Sequence, residues 1–587
     1  MQKEFLPIEI EDREKRCADT TQFDVIFVTG DPYYDHPLSG IAILSRLLKA
    51  KGYSVGIVAQ PETKEDFLSC GRPKYFFCIT SGLLDSSLAN FTPMLREREN
   101  VLVPVHAPLV YTSKIKEYFT GSMTVVGGVE ATIRRFTHFD YKENQLRRPI
   151  LADSKADLLL HGNAERSLLT VLSRLKKLLG EESFIQFKAV RDGLDLASID
   201  GVSYRIKAKE ISSTLRKIPS YEECLEDDSN FSLLTRIHYL LPNDAFLEPC
   251  GAGYIAHNRP AHPLSGEEMD LLYSLDFTRR LHPHSKQLAM HERMVRNLRN
   301  SVIIGRGCWG SCTFCIIPLV QGKEVAKRST KSILHEIEEL YQSGVRKIND
   351  LTLPTLNMYG SFCQLYDEEQ EIFSPVIEKG ITVLNKTKYC DQKCAGCPQR
   401  VLRDDLYPLL EGVERLQEKY SGTELELRSA IRHDVILDQK KLFRKIMQFT
   451  RRLKIAPEHI SDTVLASMNK ATKAAFEAFL EEYRKVNEEQ GTNKNLVPYF
   501  VAGHPGSTLK DMEILRQFCD EKEIYVNLTQ VFTPTPGTAS TAAYYSGKDT
   551  FTKRPVHVAR GFREKKDQKN ILVLREQNDL SEEDSLG

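Results

Sequence analysis

Two blocks of strand and helix periodicity divide the chain. In the first, the uninterrupted apolar run FDVIFV at 23–28 predicts a buried strand. Residues 41–50 (IAILSRLLKA) carry apolar side chains at helical spacing and stop before Gly52, and 53–59 turns apolar again. That is one strand–helix–strand unit, which a parallel sheet accepts. Runs at 75–79, 101–105, 124–126 and 157–160 predict further strands, and a helix is expected over 163–179. The pattern implies an α/β fold that opens with a doubly wound parallel sheet over residues 21–200. Its glycine-bearing loops at 29–40, 126–135 and 161–166 would lie at the carboxyl ends of strands, where such sheets bind ligands.

Residues 201–297 are mixed, with a charged stretch at 221–228 and a Pro/Gly-rich one at 240–266, and predict a linker region packed against both neighbours. Within it, SGEE at 265–268 has the form of a capping box. RRLHPH at 279–284 is locally basic and reads as a solvated face ahead of a phosphate-binding rim. Alternation resumes over 298–546. A helix at 331–343 sets Ile333, Ile337, Leu340 and Tyr341 on one face and ends at Gly344. Strands at 345–351, 425–431, 452–456, 495–501 and 525–532 then alternate with helices at 404–419, 439–449, 461–469, 473–489 and 508–522. About six such units suit a partial (β/α)6 barrel with its chemistry at the carboxyl ends of the strands. Residues 1–20 and 547–587 are charged tails, the second read as disordered and outside either core.

Composition narrows the function classes. Lys+Arg 80 against Asp+Glu 80 leaves no net charge in 587 residues, so no global field draws nucleic acid or an anionic membrane. No apolar run approaches the ~20 residues of a membrane helix, and the charged N-terminus lacks the apolar core of a signal peptide. Thirteen cysteines, seven of them between Cys308 and Cys397, suit metal ligation in a reducing cytoplasm better than a disulfide framework.

The chemistry concentrates in NSVIIGRGCWGSCTFCIIP at 300–318, where Cys308, Cys312 and Cys315 are spaced C-x-x-x-C-x-x-C with Phe314 before the third. Three close thiolates suit an iron–sulfur cluster or zinc, and the glycines let the backbone fold tightly around the ion. A structural zinc knuckle normally closes with four ligands. Here no fourth cysteine is near, and a 4Fe-4S cluster on three thiolates keeps one iron open. A second set, Cys390, Cys394 and Cys397, repeats the spacing in a polar setting, with Cys363 upstream as a fourth ligand; it predicts an auxiliary iron–sulfur cluster ahead of a zinc site. Polar residues past the barrel strands are Asp350, Ser429, Arg432, His433, Asp434, Glu458, His459 and His504.

The first cysteine spacing resembles that of the radical S-adenosylmethionine (SAM) superfamily. The ordered segments VTGDPYYDHPLSG, GGVEATIRR, DSKADLLLHGNAER, RGCWGSCTFC, PTLNMYG, LKIAPEH and VPYFVAGHPG are similar to those of the YgiQ-type radical SAM proteins over about 20–560. The resemblance implies a 4Fe-4S cluster on Cys308, Cys312 and Cys315 with exchangeable SAM, and Phe314, Asp350, Ser429 and Glu458 as cofactor-binding candidates. It further implies cleavage of SAM to a 5′-deoxyadenosyl radical, hydrogen abstraction from a substrate it does not identify, and a low-potential ferredoxin or flavodoxin as electron donor. Leu351-Thr352-Leu353 departs from the glycines the family tends to show there. The N-terminal sheet resembles in outline those of cobalamin-binding radical SAM enzymes, yet cobalamin is not expected: the D-x-H-x-x-G pattern fails because Asp35 and His36 are adjacent and Gly40 lies four residues further on, which makes them turn or substrate residues. The alternatives are a cobalamin-dependent radical SAM methylase and a non-catalytic iron–sulfur carrier or sensor. Nucleic acid is not favoured as a partner, since no basic stripe with interleaved aromatics is present.

Overall fold

The computed structural model describes residues 3–9, 22–180, 182–211, 215–364, 372–373, 388–390, 393–394, 396–526 and 528–573. Five strands, β1 (Val25–Thr29), β2 (Val55–Ala59), β3 (Phe76–Thr80), β4 (Met123–Val126) and β5 (Leu158–Leu160), pair in parallel in the order β2-β1-β3-β4-β5. Their side chains alternate between two cores, Val25 and Phe27 facing one and Ile26 and Val28 the other. Helices cover both faces, which is why the strands read as continuous apolar runs rather than as alternation.

The expected strand at 101–105 does not form. Pro104 lacks a donor, and both edges of β1 and of β3 are already paired. The segment is instead a loop held by Asn90, whose Nδ2 donates to the Val103 carbonyl at 2.8 Å, and it leads into the helix Ala107–Tyr118.

The region expected to be a linker extends the sheet. It contributes β6 (Val202–Ile206), β7 (Arg216–Lys217), β8 (Phe246–Cys250) and β9 (Gly253–His257), which continue from β5 in the order β6-β9-β8-β7. β6 returns antiparallel against β5, and a tight hairpin joins β8 to β9. The helix at Gly266–Tyr273 starts with the expected capping box on Ser265 and Glu268.

The second block is also parallel. β10 (Ser301–Ile303) pairs with β12 (Asp350–Thr352), and β11 (Lys347–Ile348), just before β12, pairs with β13 (Glu424–Leu425). Ile431 bridges in parallel to Ile455 of β14 (Arg452–Glu458), which pairs with β15 (Asn495–Ala502), and that with β16 (Leu528–Val531). Neighbours in space are thus neighbours in sequence.

Both tails are partly built in. Leu6 is buried, and the Pro7 carbonyl accepts from the Ile57 amide at 3.1 Å. Near the other end the helix Phe562–Val573 packs on the second block with Leu572 in its core. The expectation that residues 547–587 lie outside both cores therefore fails for this helix. Its buried positions Lys565, Gln568 and Leu572 have helical spacing, but only Leu572 is apolar, so the charged composition concealed the buried face. The acidic end at 579–587 and most of 1–20 lie outside the described residues. Among the described residues no helix is long and apolar enough to cross a membrane.

Candidate functional site

The cysteine loop is shaped by backbone before any side chain acts. Gly305–Arg306 pairs antiparallel with Ala326–Lys327, which closes the segment between them into a loop just past β10. Gly307 has φ +89°, and a Cβ there would stand 1.9 Å from the Glu324 carbonyl oxygen, so the position admits only glycine. The Cys308 amide donates to the Gly322 carbonyl at 3.2 Å and the Cys315 amide to that of Cys312 at 3.1 Å. All three thiols are free and half-buried.

Their electrostatics fit a cationic occupant. Burial, then the neighbouring Cys312, pushes the Cys308 thiol up, and the same two causes push Cys315 up to about 12. Arg432 opposes the shift at Cys308. It is itself buried: Nε and Nη2 donate to Asp434 at 2.9 Å each, and Nη1 faces the loop. Cys308 and Cys315 resist ionising because of burial and a neighbouring thiol, and nearby positive charge of the kind an iron–sulfur core supplies would reverse that. Cys308 Sγ also lies 3.7 Å from Met358 Sδ and 3.8 Å from Thr355 Oγ1. Phe314 is half-buried and meets His504 edge-on, ring centroids 6.0 Å apart.

The strand-end candidates separate into two groups. Asp350 and Ser429 are brought together: Ser429 Oγ donates to Asp350 Oδ2 at 2.6 Å, while the amides of Arg428 and Ser429 donate to Oδ1 at 2.8 and 3.0 Å. Glu458 stands apart at the end of β14, where the register with β15 shifts. It has φ +67°, a left-handed conformation that is strained for glutamate, and such strain concentrates at functional sites. Its carboxylate is 3.6 Å from Lys470 Nζ and acts on the Cys315 thiol. Burial raises its carboxyl, against the pull of Lys470 and Arg432.

Comparison with known proteins bears on the whole chain. Residues 5–297 match the family model for the radical SAM N-terminal region. The chain is 34% identical to a UPF0313 protein of Geobacter sulfurreducens, covering 97% of this chain and 92% of that one. A UPF0313 protein of Methanocaldococcus jannaschii is 33% identical over 95% and 90%, and one of Fusobacterium nucleatum 32% over 98% and 99%. The chain belongs to the UPF0313 family. The matched N-terminal model makes it an enzyme of the radical SAM class. The solved structure of the radical S-adenosylmethionine methyltransferase TsrM of Kitasatospora setae aligns at TM-score 0.48 and 13% identity, covering 87% of this chain and 74% of that one, too slight a likeness to carry an argument.

In this UPF0313 chain the second cysteine set abuts the first. Cys394 Sγ lies 3.3 Å from Ser311 Oγ, between Gly310 and Cys312. Lys323 donates to the same hydroxyl, and Tyr239 and Asn469 donate to the Ser311 carbonyl. The Cys397 amide donates to the Cys394 carbonyl at 3.3 Å, while Cys363 pairs with Arg400 in a two-residue antiparallel ladder. Cys390 is half-buried. Among the described residues no three His, Cys, Asp or Glu side chains converge as ligands of one metal ion.

The N-terminal loops are occupied by structural bonds. Arg46 grips Asp35 through Nε and Nη2, and His36 Nδ1 accepts from the Leu38 amide at 3.1 Å while its Nε2 faces the Arg299 carbonyl at 3.0 Å. These residues build a turn. Arg134 of the GGVEATIRR segment holds Asp85 and Asp140 at 2.6 and 2.7 Å. Sequence reasoning missed Lys470, which sits in an unremarkable turn, and gave Arg306 no role although it stands between two glycines just before Cys308.

Proposed function

We propose that this UPF0313 protein is a cytoplasmic radical SAM enzyme built on a partial (β/α)6 barrel, with Cys308, Cys312 and Cys315 holding a 4Fe-4S cluster. The observation that carries the reading is the cysteine loop: three half-buried free thiols on a glycine-shaped turn at the carboxyl end of the first of six sequential parallel strands. Held by Cys308, Cys312 and Cys315, such a cluster would supply the electron for reductive cleavage of SAM to methionine and a 5′-deoxyadenosyl radical.

The chain's own residues bind, orient and shield. Arg432 places positive charge against Cys308 and Cys312. Glu458 and Lys470 offer a carboxylate and an ammonium beside Cys315, complementary to the amino and carboxylate groups of an amino acid. Asp350 and Ser429, bonded to each other, close the floor between the second and third strands. Thr355 and Met358 pack on the Cys308 sulfur and keep water from it. The second cysteine set is read as an auxiliary iron–sulfur or zinc site, and a low-potential ferredoxin or flavodoxin as the electron source. Histidine-ligated corrinoid has no part in this reading, since His36 is committed to the Leu38 amide and the Arg299 carbonyl.

The test is anaerobic: protein reconstituted with iron and sulfide, reduced, given SAM and assayed for 5′-deoxyadenosine beside Cys308→Ala and Cys394→Ala. Product lost in Cys308→Ala and kept in Cys394→Ala is expected. Loss only in Cys394→Ala would move the SAM cluster to the second set, and no product from well-loaded protein would favour an electron carrier.

A further inference from the structure

A cavity of about 470 Å³ separates the N-terminal sheet from the barrel. On one side it meets the loops after β1, β3, β4 and β5; on the other it meets Ile303, Arg306, Ile317, Val320 and Leu353. Ligands of parallel sheets gather at such strand ends and of barrels at such mouths, and here the two coincide. Three of its walls run directly into the thiols. Arg306 is two residues before Cys308, the Ile317 amide faces the Cys315 sulfur, and Pro354 adjoins Thr355, 3.8 Å from Cys308 Sγ. Asp350, Ser429 and Glu458 are not among the walls, so the cavity lies beside the proposed SAM position rather than on it.

Its lining specifies chemistry. Most side chains are apolar, and Gly40, Gly82, Gly127 and Gly162 leave bare backbone between them. The carboxylate and guanidinium groups are three. Glu165 is paired to Arg306, which leaves Asp31, where the Leu83 amide donates to the carboxylate at 2.6 Å. Burial raises Asp31 to about 6, so it answers to a neutral or weakly polar neighbour and not to an anion. The walls thus carry no spare positive charge for a polyphosphate. Two lining residues hold a buried polar atom without a hydrogen-bond partner, Tyr33 at its hydroxyl, which lies beside Asp35, and Arg306 at its guanidinium, the charged one of the two. Arg306 uses Nη1 on Glu165 and Nε on the Tyr273 hydroxyl at 2.7 Å, while Nη2 is buried with no partner. A buried guanidinium N–H without an acceptor is rare and calls for one.

We propose, resting on the radical SAM reading, that this chamber is the substrate site and takes a small, mainly apolar molecule that presents a single carboxylate, sulfonate or carbonyl oxygen to Arg306 Nη2. Nucleotide polyphosphates and polymer segments are excluded by charge and by size. The occupant lies against the walls that reach Cys308 and Cys315, within the space where a radical generated at the barrel mouth is shielded from water.

The test uses two probes on the full chain: 1-anilinonaphthalene-8-sulfonate and its uncharged parent, N-phenyl-1-naphthylamine, titrated by fluorescence. One saturable site for each is expected. Val129→Trp, filling the sheet side, weakens both probes tenfold or more, and Val320→Trp does the same from the barrel side should the first variant fold poorly. Arg306→Lys, which keeps the charge for Glu165 but lacks the spare N–H, weakens the sulfonate at least fivefold and leaves the uncharged probe within twofold. Unchanged affinity of both probes in a folded tryptophan variant overturns the site, and equal loss of both probes in Arg306→Lys overturns the role of Nη2. Probe binding needs no cluster and is repeated in Cys308→Ala. Failure of the radical SAM reading shows elsewhere, as absence of 5′-deoxyadenosine from the loaded wild type.

Discussion

Arg432→Gln should make the proposed cluster harder to reduce. Arg432 Nη1 and Cys308 Sγ stand 3.0 and 3.3 Å from the point a Gly310 Cβ would occupy. The charge and the sulfur are therefore no more than roughly 6 Å apart, and a unit charge at that range in an effective dielectric of about 20 interacts by about 3 kcal/mol. Asp434, paired to the far edge of the guanidinium at 2.9 Å, offsets part of this. A net effect of about 1–2 kcal/mol remains, or about 40–90 mV for a one-electron couple. Reduction adds negative charge, which the cation stabilises, so its loss moves the potential to more negative values. An electron-paramagnetic-resonance redox titration of the reconstituted protein reads the shift directly, without turnover. Arg432→Gln/Asp434→Asn should recover part of it, because no unpaired carboxylate is left behind. A shift below about 20 mV, or one in the positive direction, would refute the placement of this charge on the thiols.

Two further outcomes follow from single positions. Gly307→Ala should lose most of its iron after reconstitution, because its Cβ would meet the Glu324 carbonyl at 1.9 Å with φ +89°; Gly322→Ala, with φ +90° but nothing within 4 Å, should cost only about 1 kcal/mol and load normally. Burial lowers Lys565 from 10.5 to about 8, so between those values the folded lysine is neutral while the unfolded one is still charged. Wild-type stability should therefore rise with pH across that window, a rise that denaturant melts of Lys565→Met should lack, with the variant the more stable at pH 7; a parallel pair of pH profiles would remove the burial argument.

The parallel elements were legible because each central strand is apolar on both faces, and the run at 23–28 announces itself without tertiary context. The sheet's second half was not, because β6 is only partly apolar, in the order Val-Ser-Tyr-Arg-Ile, and β7 is two residues long. Such strands take their identity from the neighbour they pair with, which no local pattern records. The opposite error at 101–105 has the same origin. Three valines and a leucine predict a strand, but β1 and β3 are already paired on both sides, and Pro104 could not have completed a ladder.

The candidate site divides along a similar line. The cysteines could be read from spacing alone, since ligand chemistry is local to one turn. Their electrostatic setting could not. Arg432 reaches the loop from the third strand, Lys470 from a turn after a short helix, and Cys394 from a segment more than seventy residues beyond Ser311. Even Asp350 and Ser429, each named from its strand end, had no predicted relation, and only the register of neighbouring strands makes them partners. The chamber is the extreme case. Its walls come from both halves of the chain, held together by the Arg306–Glu165 pair and by Asn163, whose Nδ2 donates to the Gln321 carbonyl at 3.0 Å. The polar contacts that join the two units are thus the ones that orient the spare Arg306 N–H. Loosening them should degrade substrate recognition before it touches the cysteine loop, which is braced independently by Gly307 and the hairpin to Ala326–Lys327.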